Sequence, residues 1–294
     1  MRVGFVGLGM MGRPMALNLI KGGHALRAHG RRPESMQPVE QAGATRCASA
    51  AETARGSDVI FVMVADTPDV EQVIFGTSGV AEGAARGSVV VVVDMSTISP
   101  VATRSMAARL ADKGVEMLDA PVSGGDIGAI AGTLSIMVGG KPQVFAMVKP
   151  LFECMGKSIV HIGANGAGQV AKACNQIVGA VTLEAVAEAL TLARRNGVDP
   201  GKVRDALLAG FAWSKVLEVH GRRIVERDFK PGFKAKLHQK DLRIVTETAG
   251  QLGIGLPQSA LVAQHLNALV GMGCGEDDSA AVAKVLEALS GLQP

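Results

Sequence analysis

Aromatic side chains are scarce in this chain: 3% of 294 residues, with one Trp and no Tyr. That is too little to build the stacking platforms on which single-stranded nucleic acid is held. A surplus of one charge is missing too. The net charge is +3 with no long Lys/Arg run, so no nucleic-acid partner is expected. Cysteine is sparse, and Cys47, Cys154, Cys174 and Cys274 form no CxxC pair. They read as reduced thiols of a cytoplasmic protein. The six histidines show no HxH or HExxH spacing, so no metal site is expected. No apolar stretch is read as both long and Gly-free enough to span a bilayer, and the glycines of the opening MRVGFVGLGMMG are wrong for a secretory leader. The expectation is a soluble protein with no membrane partner.

What is present is core material: 48% of the residues are apolar and 19% charged. The length points to two structural units. The first half alternates β-rich runs with amphipathic helical patterns. Strands are predicted at Val3–Val6, Ala25–His29, Asp58–Met63, Val89–Asp94, Glu116–Leu118, Leu134–Val138 and Ile159–Ile162. Continuous apolar runs such as Val89–Val93 suit a parallel sheet covered on both faces, so residues 1–163 read as a doubly wound α/β, Rossmann-type domain. After Gly163 only helical patterns follow, and residues 164–294 read as an all-α domain for substrate binding and oligomerisation. It opens with a helix predicted over about 168–195, apolar around its circumference and so expected to be buried on all sides, joining the two domains.

The chemistry-bearing signal in the first domain is Gly7-Leu8-Gly9-Met10-Met11-Gly12, directly after a strand and at the start of a helix. Gly7 permits the tight turn, Gly9 lets a pyrophosphate approach the backbone, and Gly12 lets the helix pack on the strand. The alternative is a Gly-rich turn with no nucleotide; the strand–turn–helix context favours a dinucleotide. The second strand ends His29-Gly30-Arg31-Arg32 with no carboxylate to hold a ribose 2′-hydroxyl. Two guanidiniums could instead grip a 2′-phosphate. NADP(H) is therefore preferred and NAD(H) possible, the bland reading being a solvated basic turn.

In Gly166-Ala-Gly168-Gln-Val-Ala-Lys172-Ala-Cys-Asn175, Lys172 and Asn175 share a helical face,. Apolar neighbours should desolvate Lys172 and lower its pKa towards working pH, fitting it to exchange a proton with an alkoxide. The competing reading is a snorkelling Lys that covers apolar surface. Ser123-Gly124-Gly125 could form an anion nest from exposed amides, or simply be a loop.

Five segments, VGFVGLGMMGRPMALNL, DMSTISP, LDAPVSGGDIGAIAGTLSIMVGG, GAGQVAKACNQ and FKPGFKAKLHQKDL, resemble the β-hydroxyacid dehydrogenase family along essentially the whole chain. That family includes 3-hydroxyisobutyrate dehydrogenase and tartronate semialdehyde reductase (2-hydroxy-3-oxopropionate reductase), the latter branch standing nearest in wording. The resemblance implies an NAD(P)-dependent oxidoreductase acting on CH–OH groups, with Lys172 as general acid/base and Asn175 placing substrate beside it. It also implies Ser123, Gly124 and Gly125 on the substrate carboxylate, and Lys240 closing over nicotinamide and substrate. Thr97, Val64, Ala65 and Val70 would touch the cofactor, although the family usually has Leu-Pro where this chain has Val64-Ala65. Gly30 departs from the acidic residue of NAD-preferring members, again favouring NADP.

The implied reaction is reduction of a small semialdehyde carboxylate, with tartronate semialdehyde to D-glycerate first, and the reverse 3-hydroxyacid oxidation. 3-Hydroxyisobutyrate dehydrogenase and glyoxylate or succinic semialdehyde reductase are alternatives, as is a non-enzymatic NADP-binding reader module. Imine reductases share the architecture but normally replace the lysine. A homodimer or homotetramer is expected.

Overall fold

β-Branched and aromatic residues in runs of four build the centre of a parallel sheet. The computed structural model describes residues 1–84 and 91–292. The strands are β1 (Val3–Val6), β2 (Leu26–His29), β3 (Thr45–Arg46), β4 (Val59–Val62), β5 (Val91–Asp94), β6 (Glu116–Asp119), β7 (Val122–Ser123), β8 (Leu134–Gly139) and β9 (Gly156–Gly163). The predicted strand start at Val89 and Val90 lies outside the described residues. In space the order is β3-β2-β1-β4-β5-β6-β8-β7, with β9 also paired to β8. The first six are parallel; β8 runs antiparallel to β6 and β7, and β9 parallel to β8. The order reverses between β1 and β4, so the crevice beyond their carboxyl ends is where a doubly wound sheet takes a ligand.

β1, β4 and β5 are buried on both faces, as predicted from their unbroken apolar runs. Phe5, Phe61 and Val93 pack on one side with Met15, Leu19, Val148 and Phe152. Val6, Ile60, Val62 and Val92 pack on the other with Val70, Ile74, Met106 and Leu110. Phe61 stacks on Phe5 and meets Phe152 edge-on, with centroids 6.0 and 6.1 Å apart.

By its contacts the chain divides into two units, Met1–Lys172 and Ala173–Pro294. The second is helical among the described residues, apart from an isolated bridge between Lys234 and Asp278. Its core gathers Leu183, Ala187 and Leu190 of the long helix with Leu217, Leu242, Val262, Leu266 and Leu269. That helix spans Ala167–Arg195. Two expectations about it need correction. It is not buried on all sides: Val170, Val178 and Leu192 are exposed. Its length and composition also meet the requirement for crossing a membrane. Half of that apolar stretch is nevertheless buried inside the protein, and Lys172, Gln176 and Glu184 are buried on it, the pattern of a core helix.

Candidate active site

β1 runs into a turn whose glycines divide by function. A Cβ on Gly7 (φ 98°) would stand 2.1 Å from the Met63 carbonyl oxygen, and one on Gly12 would stand 2.0 Å from that of Gly7. Both are required by packing. A Cβ on Gly9 would meet nothing within 4 Å among the described residues. That leaves room beside its backbone for a pyrophosphate lying against the helix that starts at Gly12,. Met10 and Gly9 are exposed, Met11 half-buried and Leu8 buried beneath the turn.

The crevice's other wall follows β4. The Met63 amide donates to the Val6 carbonyl at 2.9 Å, and the Val64 amide donates to Ser96 Oγ at 3.0 Å. Val64 is half-buried and Ala65 exposed. Val70 is placed differently, with its side chain fully buried in the core. Thr97 is half-buried in the turn after β5. At the end of β2, Arg31 and Arg32 are exposed, and Arg31 Nη1 lies 4.0 Å from Asp69 Oδ1. Gly30 has a packing role of its own: a Cβ there would sit 2.9 Å from Ser35 Oγ.

The start of the long helix is bolted to these loops. The Gln169 side chain accepts from the Ile98 amide at 3.1 Å and donates to the Ser96 carbonyl at 2.8 Å. Asp119, at the end of β6, accepts from the Gly166 amide at 2.8 Å through Oδ1 and from the Gln169 amide at 3.0 Å through Oδ2. Burial pushes the Asp119 carboxyl up, while the amides of Gly166, Gln169, Gly168 and its own residue pull the other way. Gly168 closes the contact, since a Cβ there would stand 2.4 Å from the Met137 carbonyl oxygen. One turn later Lys172 is buried, 7% exposed. Four residues beyond Asp119, Ser123 pairs with Ser135, and Gly124 and Gly125 turn the chain at φ 132° and 63° into the helix Gly125–Ala131.

The first unit thus brings together the Gly7–Gly12 turn, Val64, the Ser96–Ile98 turn and the helix bearing Lys172. The second unit holds Asn175 and Lys240, linked through two residues that motif reading did not assign. The Asn175 amide donates to Gln176 Oε1 at 2.8 Å, and Gln176 Nε2 donates to Asp241 Oδ2 at 2.6 Å. Lys240 Nζ stands 2.8 Å from Asp241 Oδ1. Gln169 and Gln176 both lie in the quoted segment GAGQVAKACNQ. Their sequence signal was a polar amide on an otherwise apolar helix.

The chain has relatives over its whole length. Residues 2–163 match the family model described as the NAD binding domain of 6-phosphogluconate dehydrogenase. Residues 166–286 match that described as NAD-binding of NADP-dependent 3-hydroxyisobutyrate dehydrogenase. The chain is similar to 2-hydroxy-3-oxopropionate reductase of Escherichia coli (strain K12), 46% identical over 290 residues, covering 99% of this chain and 98% of that one. Among solved structures it is similar to Mycobacterium tuberculosis 3-hydroxyisobutyrate dehydrogenase with L-serine, at 32% identity and a TM-score of 0.88, covering 97% and 98% of the two chains. It is also similar to Psf3 in complex with NADP+ and 2-OPP, at 25% identity and a TM-score of 0.87, covering 97% and 99%.

Proposed function

The chain belongs to the β-hydroxyacid dehydrogenase family, and from that premise we propose that it reduces a small semialdehyde carboxylate with NADPH, tartronate semialdehyde to D-glycerate, and runs the reverse oxidation. It is an NAD(P)-dependent oxidoreductase. What supports the finer reading is the hydrogen-bond chain from Val64 through Ser96 and Gln169 to the helix on which Lys172 is buried. Gly7, Gly9, Gly12, Thr97 and the Val64–Ala65 loop would hold the cofactor, with Arg31 and Arg32 against a 2′-phosphate. When bound, the nicotinamide supplies the hydride.

The residues do the rest. Ser123 and the amides of Gly124 and Gly125 hold the substrate carboxylate, which fixes the aldehyde by position. Lys172 donates a proton to the aldehyde oxygen as negative charge grows there, and takes it back in the oxidation. Burial keeps bulk water from that ammonium. Asn175 orients the substrate, and Lys240, paired with Asp241, lends positive charge to the carboxylate. The stoichiometry closes: aldehyde, NADPH and one proton give alcohol and NADP+.

Four free thiols support a cytoplasmic location, and exposed Val178 and Leu192 support a homodimer or homotetramer. The test is decay of NADPH absorbance with purified protein and tartronate semialdehyde, beside NADH, glyoxylate, succinic semialdehyde and the 3-hydroxyisobutyrate couple. Turnover that is fastest with NADPH and tartronate semialdehyde, and lost in Lys172→Ala while cofactor still binds, is expected. Preference for another member reassigns the substrate. A wild-type protein that binds cofactor yet turns over nothing would leave a reader module instead.

A further inference from the structure

Asp119 and Gln169 are both fully buried polar side chains outside the set expected to touch substrate or cofactor. Neither is needed by the sheet: Asp119 ends β6, and its carboxylate leaves the strand to receive two amides at the start of the long helix. A carboxylate there caps orphan N–H groups and meets the positive end of the helix dipole. Gln169 completes the attachment from the helix side, holding the turn after β5 by its carbonyl and its amide at once. Helix, β5 turn and β6 end are thereby fixed as one rigid piece. Lys172 stands one turn from Gln169 and Gly168, and the Ser123–Gly125 loop follows Asp119 by four residues.

We propose that Asp119 and Gln169 are positioning residues for Lys172, setting where its ammonium stands relative to the Ser96–Ile98 turn and the Ser123–Gly125 loop. The proposal rests on the reading of Lys172 as the proton donor. The geometry is specific to that task. A cap of local origin would satisfy the helix start, yet here both carboxylate oxygens and both ends of an amide are engaged with distant segments, over sequence separations of 47 to 73 residues. The close approach is shielded from both sides by missing Cβ atoms: one on Gly139 would stand 2.6 Å from Asp119 Oδ1, and one on Gly168 would stand 2.9 Å from Oδ2.

The experiment compares wild type, Asp119→Asn and Gln169→Met by three readouts. These are kcat per active site with sites counted by cofactor binding, the Kd for NADPH, and the pH dependence of Lys172 acylation by an amine reagent followed by mass spectrometry. The last needs no turnover. Asp119→Asn keeps the shape and one acceptor oxygen; Gln169→Met carries the test should that variant fail to fold. The expected result is a 10- to 100-fold loss of kcat with NADPH Kd within about threefold, together with a shifted acylation profile. Variants that melt earlier but keep kcat per site and the acylation profile of wild type would overturn the proposal, leaving the two residues as caps for stability alone. If wild type reduces no semialdehyde, the functional reading falls. A shifted acylation profile in the variants then still upholds the positioning of Lys172, and an unchanged one removes both.

Discussion

Replacing Gly168 with Ala would test whether the helix carrying Lys172 is set by contact with the sheet. The new Cβ would stand 2.4 Å from the Met137 carbonyl oxygen and 2.7 Å from that of Asp119. Both are backbone atoms of β8 and β6 and have no rotamer to change. An ordinary carbon–oxygen contact needs about 3.4 Å, so the helix start must retreat by roughly 1 Å. Two stability effects oppose each other. Ala gains up to about 1 kcal/mol over Gly in a helix, while overpacking a filled site costs about 1–3 kcal/mol. With the full gain the net loss is about 0–2 kcal/mol, a fall in melting temperature of at most a few degrees for a domain this size. Catalysis responds more steeply, because a misplacement of about 1 Å costs on the order of 100-fold in rate, equivalent to about 2.7 kcal/mol on the barrier. The assay is NADPH consumption at saturating semialdehyde, normalised to cofactor-binding sites, beside a thermal melt. A variant with kcat within threefold of wild type would refute the reasoning, since a helix that absorbs the Cβ without moving Lys172 is not fixed by this contact.

Other perturbations separate fold from function. Gly12→Ala, with its Cβ 2.0 Å from the Gly7 carbonyl oxygen, should lower the melting temperature sharply, whereas Gly9→Ala should melt like wild type yet bind cofactor at least 10-fold more weakly; equal melting temperatures would contradict the division. The double variant Arg31→Ala/Arg32→Ala should raise KM for NADPH by about 10- to 100-fold through lost charge-assisted hydrogen bonds, with KM for NADH nearly unchanged, and equal losses with both cofactors would remove the arginines from 2′-phosphate recognition. In the helical unit, burial works to raise the Asp278 carboxyl, but His220 and the amides of Ala280 and Phe233 outweigh it and hold the group at about 2, below the ordinary 3.8. A depressed carboxylate contributes stability that is complete above about pH 4 and is lost as pH falls towards 2, so Asp278→Asn should flatten the acid limb of an unfolding curve in that window; an acid limb identical to wild type would rule this out.

Much of the fold could be read from local pattern because β1, β4 and β5 are unbroken apolar runs and the first glycine turn sits between a strand and a helix. What escaped was short or distant. β3 and β7 have two residues each, too few for any periodicity, and they exist because β2 and β8 offer a ladder to pair with. The wide apolar girdle of the long helix suggested burial all round, but Val178 and Leu192 meet solvent; composition reports how much apolar surface a helix has, not whether this chain supplies its cover. The same limit governs the site. Lys172 stood out as a lysine in an apolar stretch, but its burial does not come from the neighbours that drew attention to it, since Val170 and Cys174 are exposed. The residues that hold its helix did not stand out, since Asp119 reaches Gln169 across 50 residues, Gln169 reaches Ile98 across 71, and Gln176 reaches Asp241 across 65. Each of these is a polar group whose burial is tolerated only with its partner in place, and the sequence prints the group without the partner. The glycines make the point from the other side. The motif assigns Gly7 to the turn, Gly9 to the pyrophosphate and Gly12 to packing, and a Cβ would meet backbone atoms at Gly7 and Gly12 but nothing within 4 Å among the described residues at Gly9.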